Sequence, residues 1–85
     1  MYKLVWDKEA INDLRNIDKK KAIDLVRKVE KQLTKAPNEL GKELTGRFKG
    51  LYRYRYGDYR IIYQIFREEI TIVIVRVGHR KNIYD

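Results

Sequence analysis

A chain of 85 residues can bury one small core and has no room for a second. With no cysteine and a single histidine, His79, it lacks the means for a disulfide framework or for a thiolate or multi-histidine metal centre. No apolar run approaches the roughly 18–20 residues of a membrane span, and the start Met1-Tyr2-Lys3-Leu4-Val5-Trp6 does not read as a signal peptide, so a cytoplasmic protein is expected. The formal net charge of +8, concentrated in residues 19–35 and 42–60, favours a nucleic acid or an acidic protein as partner.

In chain order, Lys3 to Trp6 is β-prone and Asp7 suits the N-cap of a helix running from Lys8 to about Asn16. Ala10, Ile11, Leu14 and Ile17 recur there at helical spacing. Asp18 can cap a second helix with Ala22, Ile23, Val26, Val29 and Leu33 as its apolar stripe. Lys19, Lys20, Lys21, Arg27, Lys28, Lys31 and Lys35 surround that stripe, and Pro37 ends the helix. Asn38 to Gly50 is expected to be irregular.

Leu51 to Tyr56 alternates aromatic and basic residues with the two-residue period of a half-buried strand. Gly57-Asp58 has the chemistry of a two-residue hairpin loop, and Arg60 to Phe66 reads as the returning strand. That loop sets Tyr56 opposite Tyr59 and Arg55 opposite Arg60, with Arg53, Arg55 and Arg60 on the face away from Tyr52, Tyr54, Tyr56 and Tyr59. Like charges opposed across strands are destabilising, so the arrangement points to an anionic guest such as phosphate. Arg67-Glu68-Glu69 is a polar turn. Ile70 to Val77 is apolar on both faces, as in a strand inside a sheet, and Gly78 to Asp85 is a polar tail.

The expected fold is therefore α+β, a single domain over 1–85. An N-terminal strand and a two-helix hairpin precede a three-stranded antiparallel meander in one sheet, in the order β-α-α-β-β-β. The helices cover the tyrosine and isoleucine face, and the arginine face stays open.

Leu44-Thr45-Gly46, Tyr52-Arg53-Tyr54-Arg55, Gly57-Asp58-Tyr59-Arg60-Ile61-Ile62-Tyr63, Val75-Arg76-Val77-Gly78-His79-Arg80 and Ile83-Tyr84 together resemble the RelE toxins of the RelE/ParE toxin–antitoxin superfamily. The resemblance spans essentially the whole chain. It implies a ribosome-dependent endoribonuclease, an mRNA interferase that inhibits translation with no metal or cofactor. In that chemistry the substrate 2′-hydroxyl attacks the adjacent phosphate, leaving a 2′,3′-cyclic phosphate and a 5′-hydroxyl. Its partners would be a cognate RelB-like antitoxin, the ribosome and mRNA, with no membrane.

By the same resemblance the family's basic pair falls on Arg53 and Arg55, its hairpin arginine on Arg60, its tail arginine on Arg80 and its C-terminal tyrosine on Tyr84. Arg60 and Arg80 are expected to balance phosphorane charge, and Arg53 and Arg55 to position the substrate. Tyr84 would stack on a base or hydrogen-bond the phosphate. Arg55 stands where the best-known members carry lysine. A permanently charged guanidinium is a poor proton acceptor. Either Arg53 and Arg55 act by electrostatics alone or the proton goes elsewhere, and His79 is the one side chain whose ordinary pKa suits that task. Arg47, Lys49, Arg76 and Lys81 are expected to contact RNA. Two other functions fit the same scaffold: a ParE-like toxin that inhibits DNA gyrase, and a non-catalytic nucleic-acid-binding module.

Overall fold

The first strand, β1 (Lys3–Trp6), ends where Asp7 takes extended backbone angles and its carboxylate accepts the Lys8 N–H, starting α1 (Lys8–Arg15). Asp18 does the same for α2 (Lys19–Lys28), accepting the Lys21 N–H. The computed structural model describes residues 1–79. Past Lys28 the second helix continues through a π-helical turn, Val29–Leu33, in which the Thr34 hydroxyl donates back to the Glu30 carbonyl.

Ala10, Leu14 and Ile17 on the first helix and Val29 and Leu33 on the second pack toward the core as expected. Ile11 and Ile23 face solvent, while Leu25, with Val29 and Leu33 at four-residue intervals, faces the sheet. Pro37 stops the long helix and also starts a short one, α3 (Pro37–Leu40), occupying a first-turn position where a missing N–H costs nothing. The stretch expected to be irregular also holds a two-residue strand, β2 (Lys42–Glu43), and a 3₁₀ turn, Gly46–Phe48.

The hairpin forms as expected, from β3 (Leu51–Tyr56) and β4 (Tyr59–Phe66), with Gly57 at positive φ in the loop. With β5 (Thr71–His79) they complete a five-stranded sheet in the order β1-β5-β4-β3-β2. Strand β1 runs parallel to β5, and the remaining neighbours are antiparallel. The meander and the flanking N-terminal strand match the expectation, β5 lies inside the sheet, and β2 adds an outer edge strand that was not expected.

Ala10, Leu25, Val29 and Leu33 pack on Tyr54, Ile61, Tyr63, Ile65, Ile72, Ile74 and Val77, placing the core between the helices and the tyrosine face. Tyr63 is wholly buried; its hydroxyl donates to the Pro37 carbonyl at 2.7 Å, and its ring stacks on Tyr52 with centroids 5.5 Å apart.

One irregularity matters for the site. Tyr63 pairs with Ile74 but Ile62 pairs with Arg76, so Val75 is an extra residue, a β-bulge in β5. The bulge reverses the alternation: Ile72 and Ile74 face the core before it, and Val77 after it. An unbroken register would have set Arg76 opposite Ile61, inside the apolar core.

Candidate active site

The hairpin register brings the expected arginines to one side of the sheet. Arg55 pairs directly with Arg60, and Tyr56 with Tyr59. One row further along, Lys42, Arg53, Ile62 and Arg76 follow one another across β2, β3, β4 and β5. Lys42 is therefore opposite Arg53, a second like-charge pair that the sequence does not signal because nothing in it marks a strand at 42–43. The alternation of β3 already placed Arg53 on that face; a basic residue on an unrecognised neighbour completes the pair.

This face is less open than expected. Arg60 is only 9% exposed, and Ile62 beside it is fully buried although it lies outside the main core. Arg60 stands on β4, between β3 and β5. Arg55 is exposed and Arg53 half-buried, and neither makes a side-chain ion pair or hydrogen bond among the described residues. The accessible charge thus comes from Lys42, Arg53 and Arg55, with Arg60 beneath. Such guanidinium groups can grip a phosphate with two parallel N–H donors, and the cost of bringing them together falls when an anion arrives.

Arg47 and Lys49 are exposed on the loop before β3, and the Arg47 guanidinium lies 5.1 Å from the centre of the Phe48 ring, a cation–π contact. Arg76 has a different engagement from the one expected. Its Nε and Nη2 donate to the two carboxylate oxygens of Asp13 on α1 at 2.8 and 3.2 Å, and Glu9 approaches to 3.7 Å. Asp13 also accepts the Val77 N–H at 2.9 Å. The sequence did carry a signal for Asp13: a carboxylate three residues after buried Ala10, on the same helical stripe as Leu14 and Ile17.

His79 is not brought to the arginine row. Its strand partner is Tyr59, and the two rings meet edge to face with centroids 6.0 Å apart on the helix side of the sheet. Gly78 occupies the position opposite Arg60. His79 also lines a groove of about 340 Å³ with Asn16, Ile17, Tyr59 and Gly78. Arg80, Lys81 and Tyr84, expected to balance charge, contact RNA and stack, lie outside the described residues. Among the described residues no group of His, Asp or Glu is arranged to hold a metal ion, and no helix is long and apolar enough to cross a membrane.

A two-helix hairpin packed on a mixed sheet whose far face gathers arginines is the architecture to set against known proteins. Residues 4–84 match the family described as the ParE toxin of type II toxin–antitoxin systems, and the chain belongs to that family, within the RelE/ParE superfamily. Toxin RelE of Mycobacterium tuberculosis is 33% identical over 75 residues, which are 88% of this chain and 77% of that one. Toxin RelG of the same organism is 42% identical over 52 residues, a match spanning 61% of this chain and 60% of RelG. In the crystal structure of the M. tuberculosis toxin–antitoxin complex RelBE2, one chain superposes with a TM-score of 0.89 at 32% identity, over 93% of this chain and 98% of that one. The isolated Escherichia coli RelE toxin shares the fold, with a TM-score of 0.75 at 23% identity over 93% of this chain and 84% of that one.

Proposed function

We propose that this toxin cuts mRNA on the ribosome by in-line attack of the substrate 2′-hydroxyl, and that a RelB-like antitoxin of acidic contact surface restrains it. The observation carrying this reading is the cluster of Lys42, Arg53 and Arg55 above buried Arg60, opposed as like charges with no carboxylate among the described residues to neutralise the exposed members. The RelE and RelG names of the M. tuberculosis relatives and the RelBE2 complex support the same reading.

The reaction needs charge on the phosphorane to be balanced, the 2′-OH proton to be taken and the leaving oxygen to be protonated. On this reading Arg55 and Arg53 hold the scissile phosphate from solvent, and Arg60 adds fixed positive charge. Arg80 and Tyr84 take the charge-balancing and stacking roles that the family resemblance implies. Proton acceptance rests on His79 or on no protein group; a pH–rate profile unchanged in His79→Ala rejects the histidine. Arg47 and Lys49 extend the contact along the RNA.

The test is translation of a reporter mRNA with added protein and mapping of 5′ ends by primer extension. Cuts within codons, dependent on ribosomes and lost in Arg55→Ala, are the expected result. Intact mRNA with blocked DNA supercoiling would instead assign a gyrase inhibitor, the reading favoured by the ParE name of the matching family. Neither effect would leave a non-catalytic binding module.

A further inference from the structure

The β5 bulge decides which side of the sheet the end of that strand presents. With Val75 inserted, Gly78 pairs with Arg60 and His79 with Tyr59. Remove the bulge while keeping Tyr63 opposite Ile74, and each later residue moves by one position. Gly78 would then pair with Tyr59, and His79 would pass to the arginine side. A shift of one residue flips every following side chain to the other face.

A bulge this consequential needs something to hold it, because the parallel partner is gone by then: β1 pairs with β5 only as far as Trp6 and Ile74. Along the edge of β5 that β1 no longer covers, α1 supplies Asp13. Its Oδ2 accepts both the Val77 N–H and the Arg76 Nε–H, while Oδ1 accepts from Arg76 Nη2. The carboxylate side chain is 14% exposed, so these are sheltered charge-assisted bonds on the two residues immediately after the inserted one. An unpaired strand edge would otherwise leave the Val77 donor to water and the local register free to relax.

We propose that Asp13 is a positioning residue: by clasping Arg76 and Val77 it locks the bulge and so keeps Gly78 opposite Arg60 in the arginine row and His79 against Tyr59 on the helix side. Its effect on cleavage rests on the nuclease reading above; its effect on register does not. Asp13 itself touches no substrate in this scheme.

The experiment compares wild type with Asp13→Asn and Arg76→Gln in the full chain, by amide NMR and by cleavage of mRNA on programmed ribosomes. In Asp13→Asn the expected results are a fold that persists, Val77 amide exchange accelerated by about tenfold or more, and a weakened His79–Tyr59 cross-strand contact. Cleavage kcat should fall about tenfold to a hundredfold with KM little changed, as for misplaced groups in a formed complex. Arg76→Gln, which keeps the Val77 bond, should fall between wild type and Asp13→Asn on each readout. Tyr63→Phe is the control for stability alone: it weakens the core but should leave kcat intact. Unchanged Val77 exchange and an unchanged cross-strand contact in Asp13→Asn would overturn the clasp. A kcat loss matched by Tyr63→Phe would overturn the positioning role. Wild-type protein that cuts no mRNA would defeat the nuclease reading alone, with the clasp still judged by exchange.

Discussion

Tyr63 shows how much a single side chain settles. Its phenol reaches through the core to the Pro37 carbonyl, tying β4 to the turn that starts α3. The path is so tight that a Cβ on Gly41 would collide with the Tyr63 hydroxyl, so Gly41→Ala forces the ring or the loop to move. Tyr63→Phe leaves the Pro37 carbonyl buried without its donor and should cost about 1–2 kcal/mol in urea unfolding. Burial, reinforced by the neighbouring Tyr52 and Tyr54 phenols, pushes the Tyr63 phenol well above its ordinary value of 10.0. The unfolded chain therefore releases that proton first as pH climbs, and the folded state holds it. Stability from this group is complete below pH 10 and declines above it. Tyr63→Phe should accordingly show a shallower fall of Tm with rising alkalinity than wild type; parallel curves would refute the assignment. Ile70 poses the opposite case, a β-branched residue at φ +49° that is 54% exposed. Ile70→Asn, which tolerates that angle, should raise stability by about 0.5–1 kcal/mol, read as a higher Tm.

At the scale of elements, the hairpin was the most legible part of the chain because two signals coincide in it. Strict alternation sets the faces, and Gly57-Asp58 sets the register, so the Arg55–Arg60 pairing can be counted off from the residues alone. The helices were legible in extent and largely in phase, since Ala10, Leu14, Ile17, Val29 and Leu33 face the core as expected, and Ile11 and Ile23 are the exceptions. Ile11 and Ile23 are as apolar as Leu25, and only the sheet decides which of them faces inward. Strand β2 was invisible because two residues carry no period, and with it went the Lys42–Arg53 pair. The β5 bulge was equally hidden: Ile70 to Val77 is apolar on both faces, so nothing in the composition shows where the alternation changes. The hairpin yields a prediction in which stability and function move in opposite directions. Arg55 opposes Arg60 directly, so Arg55→Ala should stabilise the isolated protein by about 0.2–1 kcal/mol, a gain that shrinks in high salt. The same change should abolish mRNA cutting on programmed ribosomes. A variant that loses both stability and activity would show Arg55 to be structural, and a variant that gains stability while still cutting would remove it from the site.

Over the whole molecule, a net charge of +8 attracts any polyanion without choosing a side, and the proposed RNA contact must be assigned to one of them. Two regions compete. The lysines of the second helix, Lys20 and Lys28 in α2 and Lys31 in the π-helical turn after it, are exposed along one helix surface. Lys42, Arg53 and Arg55 instead lie in adjacent positions of one sheet face, with Arg47 and Lys49 on the loop leading into it. A row across adjacent strands, with like charges directly opposed, should displace more counterions per bound strand than lysines spaced along a helix. For single-stranded RNA the logarithm of affinity falls against the logarithm of salt with a slope near −0.7 per phosphate neutralised, so three to five contacts on the sheet face give about −2 to −3.5. Binding of a short RNA to the full chain, measured from low to high potassium chloride, should show that slope. Arg55→Gln should make it shallower by about one contact, roughly 0.7, whereas Lys28→Gln with Lys31→Gln should lower affinity slightly and leave the slope in place. The reverse pattern, with the slope following the helix lysines, would move the RNA to the other side of the molecule and leave the arginine face to a protein partner.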